Sequence, residues 1–231
     1  MIKPVQLLLL SGILASTQVY ADAGLQSQKD KVSYSIGVQM GLQLSSQKNE
    51  IDADKVMMGF KDVFQGKQPQ LTPKEMQESI VAFKKDIQAK QMAAEKATAA
   101  KNAKEGEKFL ADNAKKKGVK TTKSGLQYRV IKSGKGKSPK ATDTVEVNYL
   151  GHLVNGKVFD SSYKRGKPVT FPVNGVIPGW TEALQMMKVG DKWEIALPPK
   201  LGYGERGAGA AIGPDSTLIF EVELLNIKDK A

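Results

Sequence analysis

The stretch Val176-Ile177-Pro178-Gly179-Trp180 places an apolar pair and a tryptophan on either side of a Pro-Gly step. Pro-Gly is a strong turn signal, and Trp180 is followed by Ala183, Leu184 and Met187 at helical spacing. We therefore expect an indole at the start of a short helix, where it can form the floor of an apolar pocket. A tryptophan that is simply buried in a core is the alternative that this stretch alone leaves open.

Groups that carry out covalent or metal-dependent catalysis are scarce in the chain. It has no cysteine, which excludes disulfides and thiolate metal sites. Its one histidine, His152, lies in a strand-like run, and we interpret it as a hydrogen-bonded or exposed side chain rather than a metal ligand. The chain also lacks a Gly-x-Ser-x-Gly sequence and a phosphate-binding loop. This inventory fits a reaction that needs no nucleophile, no metal and no cofactor.

Six further motifs accompany the tryptophan stretch in a fixed order. They are Asn148-Tyr149-Leu150-Gly151, Phe159-Asp160-Ser161-Ser162, Val169-Thr170-Phe171, Val189-Gly190-Asp191, Leu201-Gly202-Tyr203-Gly204 and the run from Leu218 to Leu224. With this order and spacing, residues 119–231 resemble the FKBP-type peptidyl-prolyl cis/trans isomerases. Residues 25–118 resemble the N-terminal part of the macrophage infectivity potentiator (Mip) subfamily and its periplasmic relatives.

The resemblance implies roles for ten residues. Trp180 would form the floor under the ring of a substrate proline. The Tyr203 hydroxyl and the Ile177 N–H would donate hydrogen bonds to substrate carbonyls, and Asp160 would lie at the rim, oriented by Tyr149. The implied walls are Tyr149, Phe159, Phe171, Val176, Ile177, Ile212 and Phe220. For the aromatic residues other than Trp180 and Tyr203, packing in a core is the alternative.

Two features depart from many members of that family. Val169 stands where an aromatic residue is common, and the loop 206–211 consists mainly of small residues. Both favour a more open pocket. Rapamycin-type inhibitors are still expected to bind there.

The C-terminal half of the chain has the pattern of an antiparallel sheet. Apolar and polar residues alternate along 126–130, with Gln127 on the polar side, and again along 145–149 and 218–224. Asn155-Gly156 is a strong hairpin signal. With one short helix among the strands, the predicted fold is α+β, and the resemblance implies an FKBP-like sheet wrapped on that helix.

A single long helix is predicted over residues 72–118. Thr72-Pro73-Lys74-Glu75 combines a cap, a proline for the first turn and the glutamate of a capping box. Lys115–Lys117 suit the negative end of the helix dipole, and Gly118 suits the position just after it. At about 1.5 Å per residue, the helix would span roughly 65–70 Å. If the helix bends, we expect the bend at Gly106. The alternative to a helix is a disordered linker, but the start and stop signals at the two ends of the segment argue against it.

Residues 22–71 have the pattern of two short amphipathic helices. Apolar residues recur every four positions from Val32 to Leu44, and Asp52 or Asp54 can cap a second helix that ends near Gly66. Two such helices bury little surface by themselves.

A second copy of the chain is therefore the expected partner of this region. Gly37 and Gly41 leave room for another backbone, and the Mip resemblance likewise implies a homodimer through residues 22–71. The methionines of the region could instead form a cradle for client proteins, but we favour a dimer core.

Residues 1–21 have the pattern of a secretory signal. Lys3 precedes an apolar run that is too short to span about 30 Å of hydrocarbon, and small or apolar residues lead to Ala21. The mature protein is expected to begin near Asp22. We therefore predict an exported protein in the periplasm, at the outer membrane or on the cell surface of a Gram-negative bacterium.

The net charge of +11 does not predict a nucleic-acid partner. The lysines are interleaved with acidic residues, and there is no arginine-rich arm or basic-aromatic motif. Attraction to acidic polysaccharide or lipid headgroups stays open.

Two functions from different classes fit these features. The first is an exported, virulence-associated, dimeric isomerase that acts on X-Pro bonds in proline-containing polypeptides. The second is a non-enzymatic chaperone or adhesion protein that only holds proline segments. The presence of Asp160, Trp180 and Tyr203 favours the first.

Overall fold

The computed structural model describes residues 24–228, so the predicted signal peptide lies outside the described part of the chain. The chain divides into two compact units, Met1–Glu78 and Ser79–Ala231. No helix among the described residues is long and apolar enough to cross a membrane. The helices are α1 (Gln28–Leu44), α2 (Ala53–Phe64), α3 (Pro73–Asn113) and α4 (Pro178–Met186).

Local capping explains where the first two helices begin. Ser27 and Asp30 form a reciprocal capping box at α1. The Asp52 carboxylate accepts hydrogen bonds from two backbone N–H groups in the first turn of α2, as the sequence predicted. The helix α2 ends at Phe64, and Gly66 follows with the positive φ that glycine tolerates. Neither α1 nor α2 has a buried residue.

The long helix α3 begins as predicted but ends earlier. Thr72 and Glu75 hydrogen-bond each other's backbone and side chain in the expected capping box. The helix ends at Asn113 rather than near Gly118, because the Asn113 side chain is buried against the sheet and the chain then turns into the first strand.

Seven strands form one antiparallel sheet in the second unit. The order is β1-β2-β6-β7-β3-β4, with β5 paired beside β4 on the same edge of β3. The predicted Asn155-Gly156 turn joins β3 to β4, and Gly156 has positive φ. The strands are β1 (Val119–Thr121), β2 (Gln127–Lys132), β3 (Thr144–Leu153), β4 (Val158–Ser161), β5 (Val169–Pro172), β6 (Lys192–Leu197) and β7 (Leu218–Lys228).

The inner face of the sheet packs on α4, which confirms the predicted α+β fold. Trp180, Ala183 and Leu184 of α4 are buried in one core with the inward side chains of the strands. Those of β7, namely Leu218, Phe220, Val222 and Leu224, alternate as the sequence predicted.

The outer face of the sheet departs from the predicted alternation. Gln127, Ala196 and Ile219 are neighbours on this face, and all three are buried although it was expected to be polar. The last turns of α3 contact the same region. The Gln127 amide donates to the Leu110 carbonyl at 2.9 Å and accepts from the Asn113 amide at 2.9 Å.

Gly106 is a contact point on this face, and α3 continues through it as one helix from Pro73 to Asn113. That any bend lies at Gly106 stays a prediction. A Cβ at Gly106 would lie 2.3 Å from Thr217 Oγ1. Glycine is therefore required because the helix approaches the start of β7 so closely. The compact units divide at Glu78/Ser79, and the domain bounds at 71/72 and 118/119 stay predictions from the sequence. A fragment that starts at Val119 would expose the covered face.

The Asn113–Gln127 pair provides a test of this packing. Gln127→Leu would leave the buried Asn113 amide without its acceptor, so we expect a loss of unfolding free energy of about 1–3 kcal/mol. Adding Asn113→Leu should restore part of it, because no buried polar group is then left unpaired. Chemical denaturation measures both, with Gln88→Leu at an exposed position of α3 as the control. Equal effects of the Gln127 and Gln88 substitutions would contradict the packing.

Candidate functional site

One open cleft in the second unit brings together all ten residues named from the sequence. Its volume is about 560 Å³, within the range of small-molecule sites. The lining residues are Tyr149, Phe159, Asp160, Phe171, Gly175, Val176, Ile177, Trp180, Tyr203, Ala211, Ile212 and Phe220. Gly175 and Ala211 are additions that the sequence did not indicate. Val169, which was expected to widen the pocket, is not among the lining residues.

The start of α4 places the indole at the base of the cleft. Ile177 is the N-cap residue and Pro178 occupies the first turn, where a missing N–H costs no hydrogen bond. The N–H of Ile177 lies where a helix has no internal acceptors. A Cβ at Gly179 would lie 2.4 Å from Leu197 Cδ2, so only glycine lets α4 approach β6 this closely.

Three aromatic rings hold Trp180 through edge-to-face contacts. Its ring centroid lies 5.2 Å from Tyr149, 5.3 Å from Phe220 and 6.0 Å from Phe171, with interplanar angles of 81–88°. Such contacts fix ring orientation beyond simple burial. The indole is only 4 % exposed, so it is both a core residue and part of the cleft lining.

Gly151 makes room for two further rings of the wall. A Cβ there would lie 2.7 Å from Phe159 and 2.8 Å from Phe220. These two rings meet edge to face, with centroids 5.4 Å apart. The glycine in the Asn148–Gly151 motif therefore lets them pack directly over β3.

The rim of the cleft carries a hydrogen-bonded group of three side chains. The Tyr149 hydroxyl donates to Asp160 Oδ2, and the Arg165 guanidinium donates to Asp160 Oδ1 and, at 2.7 Å, to the Tyr149 hydroxyl. The Ser161 N–H also donates to Asp160 Oδ1 at 2.8 Å. The predicted contact between Asp160 and Tyr149 is present.

Arg165 is the member of this group that the sequence analysis missed. It ends a short 3-10 turn after β4, and Gly166 closes that turn with φ of 69°. The sequence of the Tyr163–Gly166 segment is typical of a surface turn. The signal in the sequence that could have identified Arg165 is its position five residues after Asp160.

These contacts shift two pKa values in opposite directions. Burial, reinforced by the hydrogen bond to Asp160, raises the pKa of Tyr149 to about 12, so its hydroxyl keeps its proton. Burial alone would raise the pKa of Asp160. The hydrogen bonds from Tyr149, Arg165 and the Ser161 N–H outweigh it and lower that pKa below its ordinary value. Asp160 is therefore a carboxylate at neutral pH.

The segment 203–216, called here the pocket loop, forms one side of the cleft. Its base carries Tyr203, whose side chain is 43 % exposed, and its tip carries Ile212, which is buried. Paired backbone hydrogen bonds between Ala208 and Ile212 close the tip. The hydroxyl of Tyr203 is thus available to a ligand.

The structure gives His152 no place in the cleft. Its Nδ1 lies 2.9 Å from the Leu153 carbonyl on the half-buried part of β3. Among residues 24–228, no three His, Cys, Asp or Glu side chains are grouped to hold a metal ion.

A second apolar groove lies in the first unit, between α1 and α2. Its volume is about 310 Å³, and its lining includes Ile36, Gly37, Met40, Gly41 and Phe60. Large apolar residues of its lining are exposed: Ile36 is 52 % exposed and Phe60 is 40 % exposed.

Two family models match the chain. Residues 29–130 match the domain amino terminal to FKBP-type peptidyl-prolyl isomerase, and residues 135–225 match the FKBP-type peptidyl-prolyl cis-trans isomerase.

Relatives with known names match over nearly the whole chain. Peptidyl-prolyl cis-trans isomerase Mip of Coxiella burnetii is 47% identical over 219 residues, which cover 95% of each chain. Outer membrane protein MIP of Legionella longbeachae is 44% identical over 224 residues, which cover 96% of each chain. The crystal structure of FkpA from Escherichia coli is 40% identical, with a TM-score of 0.70 over 88% of this chain and 98% of the other.

The Asp160 electrostatics can be measured directly. Because the pKa is lower in the folded than in the unfolded state, ionised Asp160 stabilises the fold above the ordinary aspartate range, and this contribution is lost as pH falls through the folded pKa. Carboxyl ¹³C titration by NMR should place the Asp160 midpoint below the ordinary value of about 3.9. Arg165→Ala should move the midpoint upward, because a cation and a hydrogen-bond donor are lost.

Arg129→Ala is the matched control for that experiment. Arg129 pairs with Glu194, away from the cleft, so its removal should leave the Asp160 midpoint in place. A midpoint that is the same in all three proteins would show that Arg165 does not act on Asp160.

Proposed function

The chain belongs to the FKBP-type peptidyl-prolyl cis-trans isomerases, and we propose that it catalyses rotation of X-Pro bonds in the cleft around Trp180. As a member of this family it is a peptidyl-prolyl cis-trans isomerase that acts on proline-containing substrates. The roles of individual residues, the dimer and the export are our proposals. The observation that carries the site assignment is the convergence of all ten named residues on one cleft.

The reaction needs a site that favours a twisted peptide bond. Rotation costs about 18–20 kcal/mol because amide resonance is lost, while the two end states of an X-Pro bond are close in energy. At the twisted geometry the carbonyl is less polar than in the planar amide. A cleft that removes water therefore favours the twisted state over the planar ground state.

The apolar part of the cleft binds the proline ring in this proposal. Trp180 forms its floor, with Tyr149, Phe171 and Phe220 packed around the indole. The cleft is open enough to admit a chain that continues on both sides of the proline. The Ile177 N–H and the Tyr203 hydroxyl then donate to substrate carbonyls and fix the chain on either side of the rotating bond.

Asp160 acts on the rotating carbonyl through its charge. A carboxylate that faces this carbonyl repels the oxygen of the planar amide more than that of the less polar twisted amide. The difference lowers the barrier. Tyr149 and Arg165 keep the carboxylate ionised and oriented, so the effect does not depend on pH in the neutral range.

The alternative of a protein that only holds proline segments lacks a specific supporting observation. A holding site has no need of a charged carboxylate kept at the rim. The methionines of the first unit could contact unfolded clients, but Met40 and Met57 line the same groove that a second copy would cover.

We further propose that the first unit forms a homodimer in an exported, virulence-associated protein. Two helices without a buried residue and with an open apolar groove need a partner to be stable. A Cβ at Gly37 or Gly41 would meet nothing within 4 Å. These glycines have no packing reason within the chain, whereas a second backbone in the groove would require them. Export is supported by the signal-like residues 1–21.

Substitutions in the cleft should separate activity from stability. Asp160→Asn keeps the size of the side chain and one acceptor oxygen but removes the charge, so kcat/KM should fall by about tenfold or more. Tm should fall only by the small contribution of one partly exposed ion pair. Tyr203→Phe removes one hydrogen bond to substrate and should lower kcat/KM by about two- to tenfold. Trp180→Leu should lower both activity and Tm, because it leaves a cavity. A protease-coupled assay and thermal unfolding on the same proteins measure these effects.

Tyr163→Phe is the control, because Tyr163 is exposed and lies outside the cleft lining. Wild-type turnover of the Asp160→Asn protein would refute the electrostatic role, and activity that simply follows Tm would refute the site.

The dimer proposal predicts that Gly41→Leu weakens assembly of the dimer, although leucine favours helix formation more than glycine does. In an isolated chain, Gly41→Leu should stabilise α1, since glycine is unfavourable in a helix by about 1 kcal/mol. In a dimer that brings a backbone against Gly41, the same change should promote dissociation. Light scattering of the mature chain should report a dimer for the wild type and for the Gln39→Leu control, which lies outside the groove lining, and monomer for Gly41→Leu. A monomeric wild type would refute the proposal.

A further inference from the structure

The pocket loop is attached to α3 at one of its two arms. The Asn102 amide of α3 donates to the Pro214 carbonyl at 2.8 Å and to Ser216 Oγ at 3.4 Å. The Ser216 hydroxyl in turn donates to the Gly213 carbonyl at 2.8 Å. These bonds fix the arm that follows Ile212, the residue at the tip of the loop.

The contact is close as well as polar. A Cβ at Gly213 would lie 3.0 Å from the Asn102 amide nitrogen and 3.5 Å from the methyl group of Thr98. One turn further along α3, Gly106 lies against Thr217. Small residues at both places let the helix and the returning arm of the loop touch along two turns.

Among the described residues, no hydrogen bond joins α3 to the other arm of the pocket loop. A cleft of about 550 Å³ separates α3 from the segment that leads into the loop, and Glu107, Leu110, Pro199 and Gly204 are among its lining residues. The first arm is tied to the second by the hydrogen bond from the Asp215 N–H to the Gly204 carbonyl at 3.0 Å. On the core side, Ile212 is buried in the hydrophobic cluster and Ala208 packs against it. On the other side, the returning arm is fixed by the contacts of Asn102 and Gly106 with residues 213–217, called here the α3 seat.

We propose that α3 positions the pocket loop, with Asn102 as a positioning residue for substrate binding. The α3 seat fixes the arm of the loop that follows Ile212. The backbone pairing with Ala208 then fixes Ile212, which lines the cleft beside Tyr203. The consequence for catalysis rests on the function proposed above. When the α3 seat is lost, the loop spends more time open, and the apparent affinity for substrate falls with the fraction of closed cleft.

Asn102→Ala in the mature full-length chain tests this directly. Alanine is a better helix former than asparagine, so α3 itself is not weakened. We expect amide hydrogen exchange at Ala208, Ile212 and Asp215 to become about two- to tenfold faster, the range of one lost hydrogen bond. Exchange along the β6–β7 ladder and the Tm should stay at wild-type values. KM for an X-Pro peptide should rise by a similar factor with kcat little changed.

Lys101→Ala is the matched control. Its side chain is 73% exposed and only weakly paired with Glu105, so loop exchange and KM should stay at wild-type values. Unchanged loop exchange in Asn102→Ala would overturn the proposal. So would faster exchange of the loop and the ladder together, because that would indicate a general loss of stability.

A second pair of substitutions tests the α3 seat without touching Asn102. Gly106→Ala would place a methyl group 2.3 Å from Thr217 Oγ1 and should speed loop exchange. Thr217→Ala removes that oxygen, which is buried without a hydrogen-bond partner among the described residues, so no bond is lost. Alanine at 217 keeps the Cβ, which would lie 3.1 Å from the added methyl group, so the double variant should recover part of the wild-type exchange and KM. Loop exchange in the double variant as fast as in Gly106→Ala would overturn the proposal.

Exchange is measured without substrate, so it tests the loop independently of the catalytic assignment. If the Trp180→Leu protein kept its activity while loop exchange responded to Asn102→Ala, the proposed site would fail and the positioning by α3 would stand. If exchange did not respond, the positioning would fail whatever the activity of the cleft variants.

Discussion

The packing of the nine-residue helix α4 on the inner face of the sheet is the contact on which the cleft depends. It requires Gly179 against Leu197, because a larger residue would lift the first turn and the indole with it. Once α4 is seated, aromatic side chains from β3, β5 and β7 surround Trp180. One short helix thereby serves both as the centre of the core and as the base of the site.

The charged rim depends on the same arrangement for a different reason. Tyr149 reaches from the core to the rim, so its ring packs on Trp180 while its hydroxyl binds Asp160. Arg165 completes the group from a turn outside the core. A carboxylate beside an apolar cleft would tend to take up a proton, and these donors prevent it. The site therefore combines a desolvating surface with a stable charge.

The helix α3 has two different surroundings along its length. Its first residues belong to the unit of α1 and α2, and from Ser79 onward it belongs to the unit of the sheet. Near Asn102 and Gly106 it contacts the arm of the pocket loop, and near Asn113 it covers Gln127. Exposed charge pairs such as Lys90–Asp86 stabilise its solvent-facing side only weakly, so these contacts decide where α3 is anchored.

Local signals in the sequence predicted the four α-helices, three of the strands and most of the lining of the cleft. The caps at Asp52 and Thr72, the Asn155-Gly156 turn and the alternation in β7 depend on neighbours within a few residues, and each is present as predicted. The motifs likewise identified ten of the residues that line the cleft. Signals of this range carry no information about which face a distant segment will cover.

Tertiary structure alone decided the features that join distant segments. The local pattern predicts that Gln127 is an exposed polar residue on the outer face of the sheet. It is buried because α3 lies on that face and supplies its hydrogen bonds. The local pattern predicts that Gly106 only weakens the helix. In the structure, Gly106 is where α3 packs closely against Thr217. Arg165 reads as a surface residue until the turn after β4 brings it to Asp160. In each case the meaning of the residue depends on a partner that no local pattern identifies.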